Sequence, residues 1–132
     1  MQFKIRPYHC SDLTSIYRIC LLTGNSGNDA TDLFRESDLL GHFYAAPYVI
    51  FEPEICFVVT NDNNPCGYMI GTKDSNKFYQ KCESEWFPTL RERYPLMDEK
   101  DNSWDARIIR RIHEGHIVKP ELINYPAHLH ID

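Results

Sequence analysis

Apolar and polar residues alternate at the start of the chain: Phe3, Ile5 and Pro7 are separated by Lys4 and Arg6, a period of two that predicts a strand over residues 2–8. The period then lengthens. Leu13, Ile16, Tyr17, Cys20 and Leu21 recur at helical spacing, with Ser11 or Asp12 as the cap and Gly24 as the stop. Residues 24–29 have loop composition. A second helical stretch is expected through Leu33 and Phe34, and a third over 38–46, ended where Pro47 breaks the pattern. Beyond Pro53, the β-rich runs 55–60 and 66–72 flank the turn residues 61–65 and read as a hairpin, with Gly67 and Gly71 marking a bulge or a close backbone approach. Asp74 or Ser75 caps a helix carrying Phe78, Tyr79, Cys82, Trp86 and Leu90, which Pro88 should kink or end early. Ser103 caps another through Ile108, Ile109 and Ile112, ended by Gly115; Pro120 opens a short helical turn, and 127–132 form a last strand. The order predicts one α/β (α+β) domain spanning residues 1–132.

Composition narrows the class. Of the 132 residues, 42% are hydrophobic and 25% charged, the balance of a folded globular domain. A net charge of -5 argues against a nucleic-acid partner, which requires clustered Lys and Arg. No apolar run approaches the ~20 residues that span a bilayer, and no signal-peptide pattern follows Met1, so a cytoplasmic protein without a membrane partner is expected. The five cysteines are odd in number and lack CxxC spacing; they read as free thiols.

Local sequence adds a resemblance. Ile5-Arg6-Pro7 followed by Ser11-Asp12-Leu13 resembles the opening of many GNAT (GCN5-related) N-acetyltransferases. The stretches Leu22-Thr23-Gly24, Asp29-Ala30-Thr31, Gly41-His42-Phe43-Tyr44-Ala45-Ala46-Pro47-Tyr48, Glu52-Pro53-Glu54 and Tyr125-Pro126-Ala127-His128-Leu129-His130-Ile131-Asp132 resemble a narrower subgroup, similar to the acetyltransferase-like domain of some O-GlcNAc hydrolases. The resemblance implies the N-terminal half of the GNAT acyltransferase fold: a strand, helices, an antiparallel meander and a helical insertion before the last strand. It implies acetyl-CoA as cofactor of the complete fold, with Leu129 and Ile131 offering backbone groups to it. The family's Gln/Arg-x-x-Gly-x-Gly/Ala phosphate loop would follow Asp132, and no such glycine pattern occurs upstream. This chain is therefore expected to stop before that loop and to bind acetyl-CoA poorly or not at all.

Direct acetyl transfer to an amine needs a group that removes the amine's proton. His128, His130 and Asp132 fall at every second position, so a strand sets all three on one face. Asp132 is the leading candidate for a catalytic base or acceptor contact and His130 the next; alternatively, Asp132 caps a following loop and the histidines pack under helices. By resemblance, the segment between the first two helices borders the acceptor pocket, which nominates Asn28, Asp29, Tyr44 and Tyr48 for binding a small amine or amino sugar. Asp29 equally suits a cap, and the tyrosines suit packing. Two rival readings stand beside the acetyltransferase. One is a zinc hydrolase built on His128-x-His130-x-Asp132, with His113-x-x-His116 as a further pair. The other is a non-catalytic interaction domain, the same fold used as a binding surface without its cofactor. Separately, the edge of strand 127–132 is expected to pair with a second copy or with a C-terminal fragment.

Overall fold

Four strands form an antiparallel sheet in the order β1 (Phe3–Pro7), β2 (Phe57–Asn61), β3 (Asn64–Thr72) and β4 (His128–Ile131). These elements belong to a computed structural model that describes residues 1–117, 119–120 and 124–132. Among the described residues, six α-helices accompany the strands: α1 (Leu13–Thr23), α2 (Leu39–Tyr44), α3 (Ala46–Phe51), α4 (Ser75–Lys81), α5 (Phe87–Arg93) and α6 (Trp104–Glu114). Strand register sorts the two faces of the sheet. Arg6, Val58, Tyr68 and Asp132 form one cross-strand row on the helical side, where Val58, Tyr68 and Ile70 are buried under α1 and α3. Ile5, Val59 and Gly67 form a row on the other side, where Phe3, Ile5, Met69, Leu129 and Ile131 are exposed. The apolar alternation of β1 thus faces outward, and its polar face carries Arg6 toward the helices.

The hairpin turn is shorter than residues 61–65. Asn61 and Asn64 pair in the ladder, and the turn is Asp62-Asn63, both left-handed with φ of 49° and 70°, as a two-residue hairpin needs. The ladder shifts between Val59 and Thr60, which leaves Cys66 as an extra residue in β3. The close approach expected at the two glycines is present as well. A Cβ on Gly67 would meet the carbonyl oxygen of Asp132 at 2.8 Å, and one on Gly71 that of His128 at 2.5 Å. Both glycines let β4 lie tight against β3.

Carboxylates redirect the helical stretch expected at Leu33 and Phe34. Only a single 3-10 turn forms, Thr31–Leu33, and Phe34 is extended. Asp29 accepts the backbone N–H of Thr31, while Asp105 at the start of α6 accepts those of Arg35 and Glu36, each at 3.0 Å. Those donors are taken before a helical ladder can use them. Pro47 begins a helix rather than ending one. The chain turns at Ala45, and Pro47 occupies the first turn of α3, where its missing N–H has no bond to lose.

Asp12 does not cap α1. A 3-10 turn, Cys10–Asp12, precedes the helix, with His9 as its cap, and the Asp12 carboxylate instead accepts two bonds from Arg6 and one from His9 N–H. Gly24 ends α1 in right-handed geometry; a Cβ there would collide with the Leu40 side chain, so this glycine serves the packing of α2. Pro88 sits in the first turn of α5, after a π-helical segment, Cys82–Trp86, that joins α4 to α5. Asp74 and Ser103 cap α4 and α6 as expected, and Gly115 ends α6 at φ 77°. The helical turn expected at Pro120 runs onto residues outside those described. All five cysteines are free, with Cys20, Cys56 and Cys82 buried.

Candidate active-site clefts on the helical face of the last strand

Antiparallel pairing of β4 with β3 turns His128, His130 and Asp132 toward the helices. Two clefts open beside them. The first, of about 230 Å³, lies among Thr23, Phe34, Tyr44, Trp104, His130 and Asp132. The second, of about 510 Å³, lies among Tyr44, Tyr48, Tyr79, His116, His128 and His130. Tyr44 and His130 line both, so they form the shared wall. Asn28 and Asp29 line neither cleft; both are exposed, and the Asp29 carboxylate is engaged by the N–H and hydroxyl of Thr31, which lower its pKa.

One assignment of tautomers satisfies every hydrogen bond of the histidine pair. Ser75 O–H donates to the Pro126 carbonyl at 2.9 Å, so its oxygen accepts from Nδ1 of His128. Nε2 of His128 is then a lone pair and accepts the Tyr48 hydroxyl proton at 2.6 Å. The Tyr48 oxygen in turn accepts Nε2–H of His130 at 3.2 Å. Nδ1 of His130 is left as a lone pair with no hydrogen-bond partner among the described residues.

Burial disfavours the charged forms of these histidines. It lowers the pKa of His128 and of His130, more than neighbouring carboxylates raise them. His116, stacked on Tyr79 with ring centroids 4.5 Å apart, is lowered to about 4 by burial, with His128 and His130 adding to the effect. Burial also raises the Tyr48 hydroxyl, so it stays protonated and able to donate. Asp132 is held by Tyr68, whose hydroxyl donates to one carboxylate oxygen at 2.8 Å; the other oxygen has no partner among the described residues. The Cys20 thiol on the first cleft is pushed up to about 11 by burial and is protonated at neutral pH.

The rival zinc geometry is not assembled. Both His128 and His130 direct Nε2 to the Tyr48 hydroxyl, and His113 directs its Nε2 to the Tyr94 carbonyl at 2.7 Å. Among the described residues, no group of three or more His, Cys, Asp or Glu could hold a metal ion. Sequence reasoning named His128, His130, Asp132 and Tyr48 but missed Ser75, Tyr79, Phe34 and Trp104. Ser75 and Trp104 follow or adjoin helix caps, and caps were the only signal they carried.

A four-stranded antiparallel sheet covered on one face by helices, with clefts along its last strand, is a mixed α+β architecture of the GNAT-like kind. The comparisons carry that class further. No family model matches the chain. Over 133 aligned residues it is 31% identical to the Protein O-GlcNAcase of Rattus norvegicus and to that of Mus musculus, covering 98% of this chain and 14% of each relative. The structure matches the crystal structure of SsHAT with a TM-score of 0.88 and 32% identity, over 100% of this chain and 66% of that one. The chain belongs to the GNAT acetyltransferase-like family, in the subgroup that includes this region of the O-GlcNAcases. It spans about a seventh of the O-GlcNAcases and about two thirds of SsHAT. Among the described residues, no helix is long and apolar enough to cross a membrane.

Proposed function

We propose that this chain forms the acceptor-activating part of a cytoplasmic N-acetyltransferase. The observation that carries the reading is His130: neutral, oriented through Nε2–H on Tyr48, and presenting an open Nδ1 lone pair on the wall shared by the two clefts. An incoming amine is positively charged in water. The free oxygen of Asp132 attracts that ammonium and orients it beside His130. Nδ1 of His130 takes the proton, Nε2–H passes its own to Tyr48, and the Tyr48 proton moves to Nε2 of His128. One proton leaves the amine and one arrives at His128, which opens on the second cleft; the amine nitrogen regains its lone pair.

Acetyl-CoA, when bound, supplies the acyl group and the thiolate leaving group. The residues present suit its amide-bearing arm. Tyr68 and Asp132 exchange both backbone bonds, so the alternate residues Leu129 and Ile131 direct N–H and C=O away from β3, along an edge that no further strand covers among the described residues. An extended amide chain can bond there. The six glycines of this chain sit at turns, helix ends and close approaches, and none forms a glycine-rich loop leading into a helix for the pyrophosphate. Calorimetry of this chain with acetyl-CoA is therefore expected to show no saturable binding at physiological concentrations.

A chimera that adds the part of SsHAT not covered here should acetylate primary amines, and His130→Ala should lower its rate by about 10²-fold or more. A chimera that binds acetyl-CoA and acetylates nothing would favour the second reading, a non-catalytic interaction domain. That reading is supported by the open β4 edge, whose Leu129 and Ile131 side chains are 58% and 69% exposed. It expects a concentration-dependent dimer by light scattering, abolished by Ile131→Pro.

A further inference from the structure

The walls of the first cleft are unequal. His130 and Asp132 supply the cleft's charge and hydrogen-bonding groups, while Phe34, Leu40, Tyr44, Trp104 and Ile108 supply its apolar and aromatic surface. We infer that the acceptor is a primary amine carried by a short arm on a flat apolar ring, and not an amino sugar. The inference rests on the roles of Asp132 and His130 proposed above and adds the chemical class of the body they hold.

About 230 Å³ is room for one ring and a short arm. Polar satisfaction decides which ring. Thr23 Oγ1 donates to the Ile19 carbonyl at 2.8 Å, and the Cys20 thiol is a weak donor. Beyond Asp132 and His130, the side-chain groups left on the lining are the Tyr44 hydroxyl and the acceptor lone pairs of Thr23 Oγ1. A hexosamine brings several hydroxyls into a cleft with few partners, and each one left unpaired weakens binding. A ring with one ammonium brings a single polar group, and Asp132 has an oxygen free for it.

The aromatic wall is also fixed in place. Asp105 takes the N–H groups of Arg35 and Glu36, which clasps the Phe34 loop to α6. Trp104 adjoins Asp105 on the same helix, with its ring 6.3 Å from that of Phe34, and the Arg107 guanidinium packs over it at 5.0 Å. Rigid aromatic faces bind a flat ring with little loss of side-chain freedom. Asp105 is a positioning residue for this wall.

The experiment titrates the 132-residue chain, without acetyl-CoA, with 2-phenylethylamine, hexylamine and glucosamine at pH 7, following amide and indole resonances. Phenylethylamine is expected to saturate with perturbation of the Trp104 indole, at least tenfold more tightly than glucosamine and several-fold more tightly than hexylamine. Asp132→Asn and Trp104→Ala should each weaken it about tenfold, and Trp104→Phe should restore most of the loss. Glucosamine binding as tightly, hexylamine matching phenylethylamine, or no saturable amine binding would each overturn the inference. Acetyl transfer is a separate readout. Amine binding here with an inactive chimera removes only the acetyltransferase reading, and a chimera that prefers glucosamine removes only the ring.

Discussion

Arg6–Asp12 and Tyr48–His128–His130 are two polar clusters on the same helical face of the sheet, one at the β1 edge and the other at the β4 edge. The first is saturated. Asp12, 4% exposed, accepts two bonds from Arg6 at 2.8 Å and one from His9 N–H at 2.9 Å. Its partners lie within six residues, so local chain geometry completes the set. The second cluster draws on Tyr48, Ser75, His128 and His130, up to 82 residues apart, and ends in an unfilled lone pair on a cleft. A polar cluster serves structure where every valence is filled and invites chemistry where one is left open.

Breaking the saturated cluster should have the largest effect on stability. Arg6→Ala strands a buried carboxylate and is expected to cost about 2–3 kcal/mol in urea unfolding, toward the low end for a buried pair because the Arg6 side chain is 40% exposed. The bonds from Arg6, the leading cause of the low Asp12 pKa, would be gone, leaving burial, which raises it, opposed only by His9. In the parent, Asp12 contributes stability above its unfolded value near 3.8 that is lost as pH falls through its lower folded value; the variant should lack this contribution. Amine binding at the other edge should be unchanged.

The histidine side of the comparison is sharpened by acid. His116 takes a proton near pH 6.5 when unfolded but only near 4 when folded. Its contribution is therefore complete above pH 6.5 and lost as pH falls from 6.5 to 4. Discounted for partial exposure, the loss is about 2 kcal/mol. His116→Phe, which keeps the stack on Tyr79, should flatten that part of the stability–pH curve. A variant as acid-sensitive as the parent would place the sensitivity in His128 and His130 alone.

Tyr48→Phe separates the two histidines without emptying the core. It should cost about 1–2 kcal/mol for the hydrogen bonds removed. Transfer in the chimera should fall while phenylethylamine affinity stays within about twofold. Since burial lowers the His130 pKa, the acid limb of transfer against pH should lie below 6.5 in the parent. The smallest effect is expected at Asp29→Ala. This exposed residue organises only the Thr31 turn, and amine binding should not respond to its loss.

The backbone was legible where one signal acted alone. The caps at Asp74 and Ser103, the stop at Gly115 and the hairpin around residues 61–65 follow from local chemistry, and the two glycines of β3 announced the close approach of β4. Local reading failed where a distant group claimed the backbone. Asp105 takes the N–H groups of Arg35 and Glu36 some 70 residues away, so the expected helix at Leu33 and Phe34 shrinks to one turn. Pro47 was read as a break because a residue's place within a helix, at its start or in its middle, depends on where the preceding turn falls.

Alternation by itself determined that His128, His130 and Asp132 share a face and that Phe3 and Ile5 share another, because side chains along a strand repeat every two residues whatever surrounds them. Which face meets the helices is not a property of the period. Pairing across β1, β2 and β3 put Phe3 and Ile5 on the bare side, and packing of α3 against β3 carried the Tyr48 hydroxyl to within 3.2 Å of both histidines. That contact orients one imidazole, leaves its other nitrogen open, and joins residues that only the folded topology brings together.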